Sequence, residues 1–195
     1  MRLVIQRVTS ASVSIDGEIV GKIAGGLMVL VGVREGDTEA DMKWLAQKTV
    51  NMRIFDDENG VMNRSVIDAG GEVLSISQFT LNASTKKGNR PSYIHAAGHD
   101  LAVPLYEAYC EEVSRLMGKD VQRGKFGADM QVSLVNDGPV TIIIDSLLKE
   151  NVLTHRCLAI NHAEGMCIRL GETTFLPIQH KGENLSMIGN TVFFS

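Results

Sequence analysis

The stretch "SLVNDGPVTIII", Ser133 to Ile144, sets two apolar strand-like arms around Asn136-Asp137-Gly138-Pro139. Asp-Gly between such arms predicts a tight hairpin turn. Pro139 contradicts that simple reading. It has no N–H for the first rung of a returning strand, and it pushes Gly138 towards an extended backbone. The segment therefore reads as two strands joined by something other than an ordinary turn.

Working outward, "MQVSLV" alternates Met130, Val132 and Leu134 against Gln131 and Ser133, and "VTIIID" is again strand-like. At the other end of the chain, residues 2–8 and 12–15 read as strands, with Asp16-Gly17 turning into a further strand around Glu18 to Ile23. The unbroken apolar run "GGLMVLVGV", Gly25 to Val33, predicts a central strand covered on both faces. A helix follows, with Thr38 as its cap, Asp41 in its first turn and Met42, Leu45, Ala46, Thr49 and Val50 on one face. "RIFDDENGVMN" predicts a short hairpin around Asn59-Gly60, and "EVLSISQFTL", Glu72 to Leu81, a strand over its whole length. "NASTKKGNRPS" has the composition of an exposed loop. A second helix is predicted from about His99 to Met117, with Leu101, Leu105, Ala108, Tyr109, Val113, Leu116 and Met117 near one stripe, Glu112 at its edge and Gly118 as its stop.

Every apolar pattern up to this point is closed by a turn signal, so a first domain is expected over 1–146. Residues 147–195 form an extension of different texture, glycine-broken and without sustained periodicity, read as short strands and turns. The net charge of −4 argues against broad electrostatic binding to nucleic acid and leaves room only for a small basic patch. Three cysteines, Cys110, Cys157 and Cys167, have no disulfide-framework spacing. The first residues carry Arg2 and Arg7 within their apolar alternation, unlike a signal peptide, and there is no run of about 18 apolar residues. A cytoplasmic protein without membrane contact is expected.

Chemistry is sparse. No histidine precedes His95, and neither His95 nor His99 has an acidic residue spaced to suggest a relay, so the hydroxyls of Ser75, Ser77 and Thr80 lack an evident base. "GKIAGG" has neither P-loop nor dinucleotide spacing. Asp56-Asp57-Glu58 reads as a solvated hairpin end. His155, Cys157, His162 and Cys167 are zinc-ligand types in a spacing that fits no common motif, so no metal and no cofactor are expected. Basic residues gather as Lys86, Lys87 and Arg90 in one loop and as Lys119, Arg123 and Lys125 before the last core strand. Two solvated loops and a pair of phosphate contacts flanking a pocket both fit this composition.

"SQFTL" (Ser77 to Leu81), "GNRPS" (Gly88 to Ser92), "GKFGADMQVSLVNDGPVT" (Gly124 to Thr141) and the opening "IQRVTSASV" together resemble the D-aminoacyl-tRNA deacylases, also called D-tyrosyl-tRNA(Tyr) deacylases. The resemblance runs from Met1 to about Asp145, and the tail departs from it. It implies a homodimeric α/β fold of bent, largely antiparallel sheets forming a barrel-like core with two main helices. It further implies hydrolysis of the ester linking a D-amino acid, or glycine, to the 3′ end of tRNA. In that family Gly138-Pro139 would be cis and would enter the partner subunit's pocket to exclude L-amino acids, while Ser77, Gln78, Phe79 and Thr80 would line the pocket. The tRNA 2′-hydroxyl would assist catalysis, with Thr80 as nucleophile the second reading. Lys86, Lys87, Arg90, Arg123 and Lys125 then become the candidate tRNA contacts.

Overall fold

A computed structural model describes residues 1–149 and, beyond them, four short strands. The chain forms two compact units, Met1–Lys149 and Glu150–Ser195. The first is organised by β1 (Arg2–Ile15), a long strand used on both edges. One edge pairs with β3 (Gly26–Gly32) along Arg2 to Val8 and with β2 (Glu18–Ile23) along Ala11 to Ile15, both antiparallel. The other edge takes β8 (Gln131–Asp145) along nearly its full length, antiparallel. The parallel members are β6 (Glu72–Ser77), which pairs with β3, and β7 (Gln122–Arg123), which pairs with β6. A Cβ placed on Gly21 of β2 would lie 3.2 Å from the Arg123 carbonyl oxygen. That close approach of β2 to β7 nearly closes the sheet into a barrel.

Alternation along β3 explains its unbroken apolar run. Leu27, Val29 and Val31 face a core shared with α1 (Glu39–Asn51) and α2 (His99–Met117), while Met28 packs inside the barrel with Val13, Ile23, Leu74 and Ile76. The strand is buried on both faces, as the composition required. Helix α1 starts with a reciprocal capping box. Thr38 Oγ1 accepts from the Asp41 N–H at 3.3 Å and the Asp41 carboxylate accepts from the Thr38 N–H at 3.1 Å. Burial pushes the Asp41 carboxyl up, but these bonds and Lys149 outweigh it and hold it below its usual range. Helix α2 ends at Gly118, whose φ of +67° is the left-handed cap that glycine adopts without penalty. The helices meet through a buried hydroxyl pair, Thr49 Oγ1 and Tyr109 Oη, 2.8 Å apart.

Charged groups are buried at the ends of β1 and β8. The Met1 ammonium is fully buried, pairs with the Asp37 carboxylate and donates to Ser146 Oγ at 2.6 Å. Asp37 also accepts the Arg34 N–H. Next to this knot Arg2 donates through Nε and Nη2 to Asp145 Oδ2, at 2.9 and 2.7 Å, and through Nη1 to the Leu81 carbonyl at 2.7 Å. Burial raises the Asp145 carboxyl, yet the Leu147 N–H and Arg2 together hold it below the ordinary carboxylate range.

Two sequence expectations are corrected here. The "SQFTL" strand stops at Ser77, and Phe79–Asn82 forms a 3-10 turn. The arms on either side of Asn136-Asp137-Gly138-Pro139 are not two strands but one, β8: the hairpin that Pro139 argued against is absent, and both arms pair with β1 in one direction. Asp137, Gly138, Pro139 and Val140 instead form a four-residue excursion opposite the single residue Arg7, between the pairs Val8↔Asn136 and Gln6↔Thr141. Within "EVLSIS", Val73, Leu74, Ser75 and Ile76 are all buried, so this part of the strand is covered on both faces.

The hairpin at Asn59-Gly60 is present as β4 (Phe55–Asp56) and β5 (Met62–Arg64). The Asp57 carboxyl is held low by the backbone N–H groups of Val61 and Asn59 that it accepts, consistent with a turn-capping role. In the second unit, β9 (Met166–Arg169) pairs with β10 (Phe175–Ile178) and β11 (Leu185–Ile188) with β12 (Thr191–Phe194), each antiparallel. His155, Cys157 and His162, and the side chain of Cys167, lie outside the described residues. No described helix is long and apolar enough to cross a membrane.

Candidate active site

The first part of the site is the end of β6. Ser77 is the last strand residue, and Gln78 departs from the extended strand geometry at φ −145°, ψ 85°. The chain folds onto the end of β3: Gln78 N–H donates to Val31 O at 2.7 Å and Asn82 Nδ2 to Val33 O at 2.8 Å. Gly32 permits this approach, since a Cβ there would fall 2.9 Å from Leu81 Cβ and 3.1 Å from Gln78 O. The Gln78 N–H is thus consumed by Val31 and the Leu81 N–H by Gln78, whereas the N–H groups of Phe79 and Thr80 stand at the open start of the turn. Thr80 Oγ1 accepts from Gln78 Nε2 at 2.6 Å. An amide is no base near neutral pH in either orientation, so this contact fixes the hydroxyl without activating it.

The second part is the excursion on β8. Gly138 and Pro139 are exposed, their peptide bond is cis, and Gly138 has a φ of +111°. Beneath them lies Arg7, only 7% exposed. Its Nη1 donates to the Ile54 carbonyl at 2.7 Å and lies 3.4 Å from Asp56 Oδ1. Its Nε is 3.0 Å from Asp137 Oδ2, an ion pair whose angle is too poor for a hydrogen bond. A Cβ added at Gly138 would come within 3.1 Å of Arg7 Nη2 and 2.9 Å of Val140 Cγ2. Arg7 thus holds the base of the excursion against β4. Sequence reading missed it. The available signal was a charged residue inside the apolar alternation of β1, because a buried charge is informative where an exposed one is not.

These two parts do not meet within one chain. Ser77 pairs with Val31 and Val31 with Leu3, whereas the excursion sits opposite Arg7, four residues further along β1 and one strand beyond. Three inter-strand steps and four residues of rise separate them by on the order of 15–20 Å.

Lys86, Lys87 and Arg90 are exposed on a loop closed by the Ser84 and Ser92 backbone pair, at 2.8 and 2.9 Å, which leaves directly from the turn after β6. Arg123 and Lys125 are exposed beside the same strand, where Ser75 pairs with Arg123 and accepts the Gly124 N–H. Both basic groups therefore depart from the C-terminal half of β6. His95 is exposed and His99 stacks edge-on against Phe126 at 5.4 Å. Among the described residues, no three His, Cys, Asp or Glu side chains converge as a metal site.

The D-Tyr-tRNA(Tyr) deacylase family model matches residues 4–145, which span both parts of this site. The chain belongs to the D-aminoacyl-tRNA deacylase family. It is a hydrolase by that membership. Among its relatives, the D-aminoacyl-tRNA deacylase of Parabacteroides distasonis is 65% identical over 150 residues, covering 77% of this chain and all of the relative. That of Dechloromonas aromatica is 59% identical over the same span. A solved structure of a c-Myc DNA unwinding element binding protein superposes with a TM-score of 0.70 at 39% identity, covering 74% of this chain and 98% of that one. A probable eukaryotic D-amino acid tRNA deacylase, 17% identical with a TM-score of 0.64, shares the fold. The family match ends at Asp145, at the close of β8.

Proposed function

We propose that the protein clears D-amino acids, and mischarged glycine, from tRNA by hydrolysing the ester to the 3′-terminal adenosine. The observation that carries this reading is the pairing of an open Ser77–Thr80 turn with an exposed Gly138-Pro139 excursion too distant to serve it in cis. A homodimer that seats the excursion of one chain against the turn of the other completes the site. The exposed Val135 and Ile143, on the two arms of β8, provide apolar surface for such an assembly.

In this arrangement the excursion acts by exclusion. Rigid backbone occupies the volume an L side chain needs at the α-carbon and leaves room for hydrogen or the D configuration. The N–H groups of Phe79 and Thr80 face the developing oxyanion, where preorganised donors contribute most. An aminoacyl ester is already activated, so orientation of the ester and the neighbouring 2′-hydroxyl suffices to direct water. Thr80 as nucleophile is second, because its hydrogen-bond partner supplies no base.

The test incubates the protein with D-aminoacyl-tRNA, its L counterpart and the D substrate ending in 2′-deoxyadenosine. Hydrolysis of the D form only, lost with the deoxy substrate, is the expected result. Equal hydrolysis of both enantiomers would rule out exclusion by the excursion. Binding without hydrolysis of either would make the protein an aminoacyl-tRNA binding module.

A further inference from the structure

Beside the Ser77–Thr80 turn, two aromatic rings stand in the open. Phe79 is 54% exposed and Tyr93 41%, and they meet edge to face with centroids 5.1 Å apart. Both are anchored to the same strand end. The Phe79 turn is held on β3 by the Gln78 and Asn82 bonds to Val31 and Val33, and Tyr93 is held by the Ala96 N–H to its carbonyl at 2.9 Å and by the Ala97 N–H to Val33 O at 3.1 Å. The aromatic step is therefore preorganised on backbone that the core fixes. Between the two rings the chain carries Lys86, Lys87 and Arg90, and from Glu72 to Asp100 it contains no intervening Asp or Glu, although the whole protein is net acidic at −4. Glu35 sits on the adjoining turn, its N–H donating to His95 O.

An exposed apolar step alone does not name its occupant, but this one is bordered by a cationic segment without carboxylates. Bases of single-stranded nucleic acid stack on such aromatic faces while adjacent cations neutralise the phosphates. We infer that Tyr93, with Phe79 as its support, is a stacking platform for an unpaired nucleobase of the RNA 3′ end, and that Lys86, Lys87 and Arg90 take the phosphates leading to it. This rests on the reading that the surface faces a tRNA 3′ end. It adds a recognition site for the strand that carries the ester.

Binding is measured by fluorescence anisotropy with a labelled, uncharged single-stranded RNA ending in CCA, on the full chain, for wild type, Tyr93→Phe, Tyr93→Leu and Tyr93→Ala. Tyr93 is exposed, and circular dichroism verifies that each variant is folded. Phe should bind like wild type, while Leu and Ala should weaken binding about tenfold, with Leu no better than Ala by more than a factor of two because it keeps bulk without a π-face. Joint replacement of Lys86 and Lys87 by Ala should flatten the slope of log K against log salt by about 1.4. Unchanged affinity in Tyr93→Ala overturns the platform, as does a loss that accompanies a change of sedimentation coefficient, which would assign Tyr93 to a subunit contact. If RNA binding responds as expected and D-aminoacyl-tRNA is not hydrolysed, the platform stands and the proposed activity falls.

Discussion

The knot at Met1, Asp37 and Ser146 and the edge at Ser77 to Tyr93 handle charge in opposite ways. At the knot an ammonium and a carboxylate are buried, and each is matched by a partner. Along the edge, lysines and an arginine are exposed beside aromatic rings. Buried charges are tolerable only when paired, and removing one partner is far more costly than the pair is worth. Exposed cations contribute almost nothing to stability and remain available to a ligand. One region fixes the fold, and the other keeps its cations at the surface.

This contrast can be broken most forcefully at the knot. Asp37→Asn leaves the Met1 ammonium buried without its counter-charge and should cost about 3–5 kcal/mol in urea unfolding. A loss under 1 kcal/mol would show that the ammonium reaches water. Gly138→Ala should act on selectivity more than on stability. The new Cβ meets Arg7 and Val140, and a φ of +111° disfavours alanine. The ratio of kcat/KM for D- over L-aminoacyl-tRNA is expected to fall at least tenfold, while unfolding shifts by about 1–2 kcal/mol. An unaltered ratio would remove the excursion from the selection step.

Asp145→Asn sharpens the comparison through pH. The folded carboxyl is depressed, so its contribution is fully present above the unfolded value of about 3.9 and is lost as pH falls through the lower folded value. The variant should be less stable than wild type by about 1–2 kcal/mol at neutral pH, and the gap should close as acid carries the folded carboxyl through its lowered titration. A gap that persists in acid would assign the effect to packing. At the open edge, replacing both Lys86 and Lys87 by Ala should leave stability within about 0.5 kcal/mol while reducing kcat/KM for D-aminoacyl-tRNA several-fold at low salt, a deficit that shrinks at high salt. The smallest effect is expected for Thr80→Val, with deacylation within a few-fold of wild type. Complete loss with intact tRNA binding would restore Thr80 as a nucleophile.

Local rules made much of this fold legible. Thr38 and Asp41 three residues later announce the start of α1, and the run from Gly25 to Val33 suits a strand covered on both faces, which β3 is. The sequence pattern failed where tertiary contact decides. Alternation continues through "SQFTL", yet the strand stops because Gly32, far away in sequence, admits Gln78 and Leu81 against its backbone. Likewise Asn136 to Pro139 carries turn residues. Whether such residues reverse a chain or bulge from it depends on what lies opposite, and Arg7 of β1 is visible there only once the register is known. The candidate site motifs were singled out through family resemblance. The aromatic step was not, because Phe79 and Tyr93 become neighbours only after both segments fold onto β3.

Being set within a strand also governs how the Gly138-Pro139 excursion moves. A loop at the end of a strand frays on its own, but this one has ladder on both sides, from Gln131 to Asn136 and from Thr141 to Asp145. Displacing it as a body requires unzipping β8 from β1, the strand on which the whole sheet is built. In hydrogen exchange its flanking amides should therefore open together with the β1–β8 ladder and not one by one.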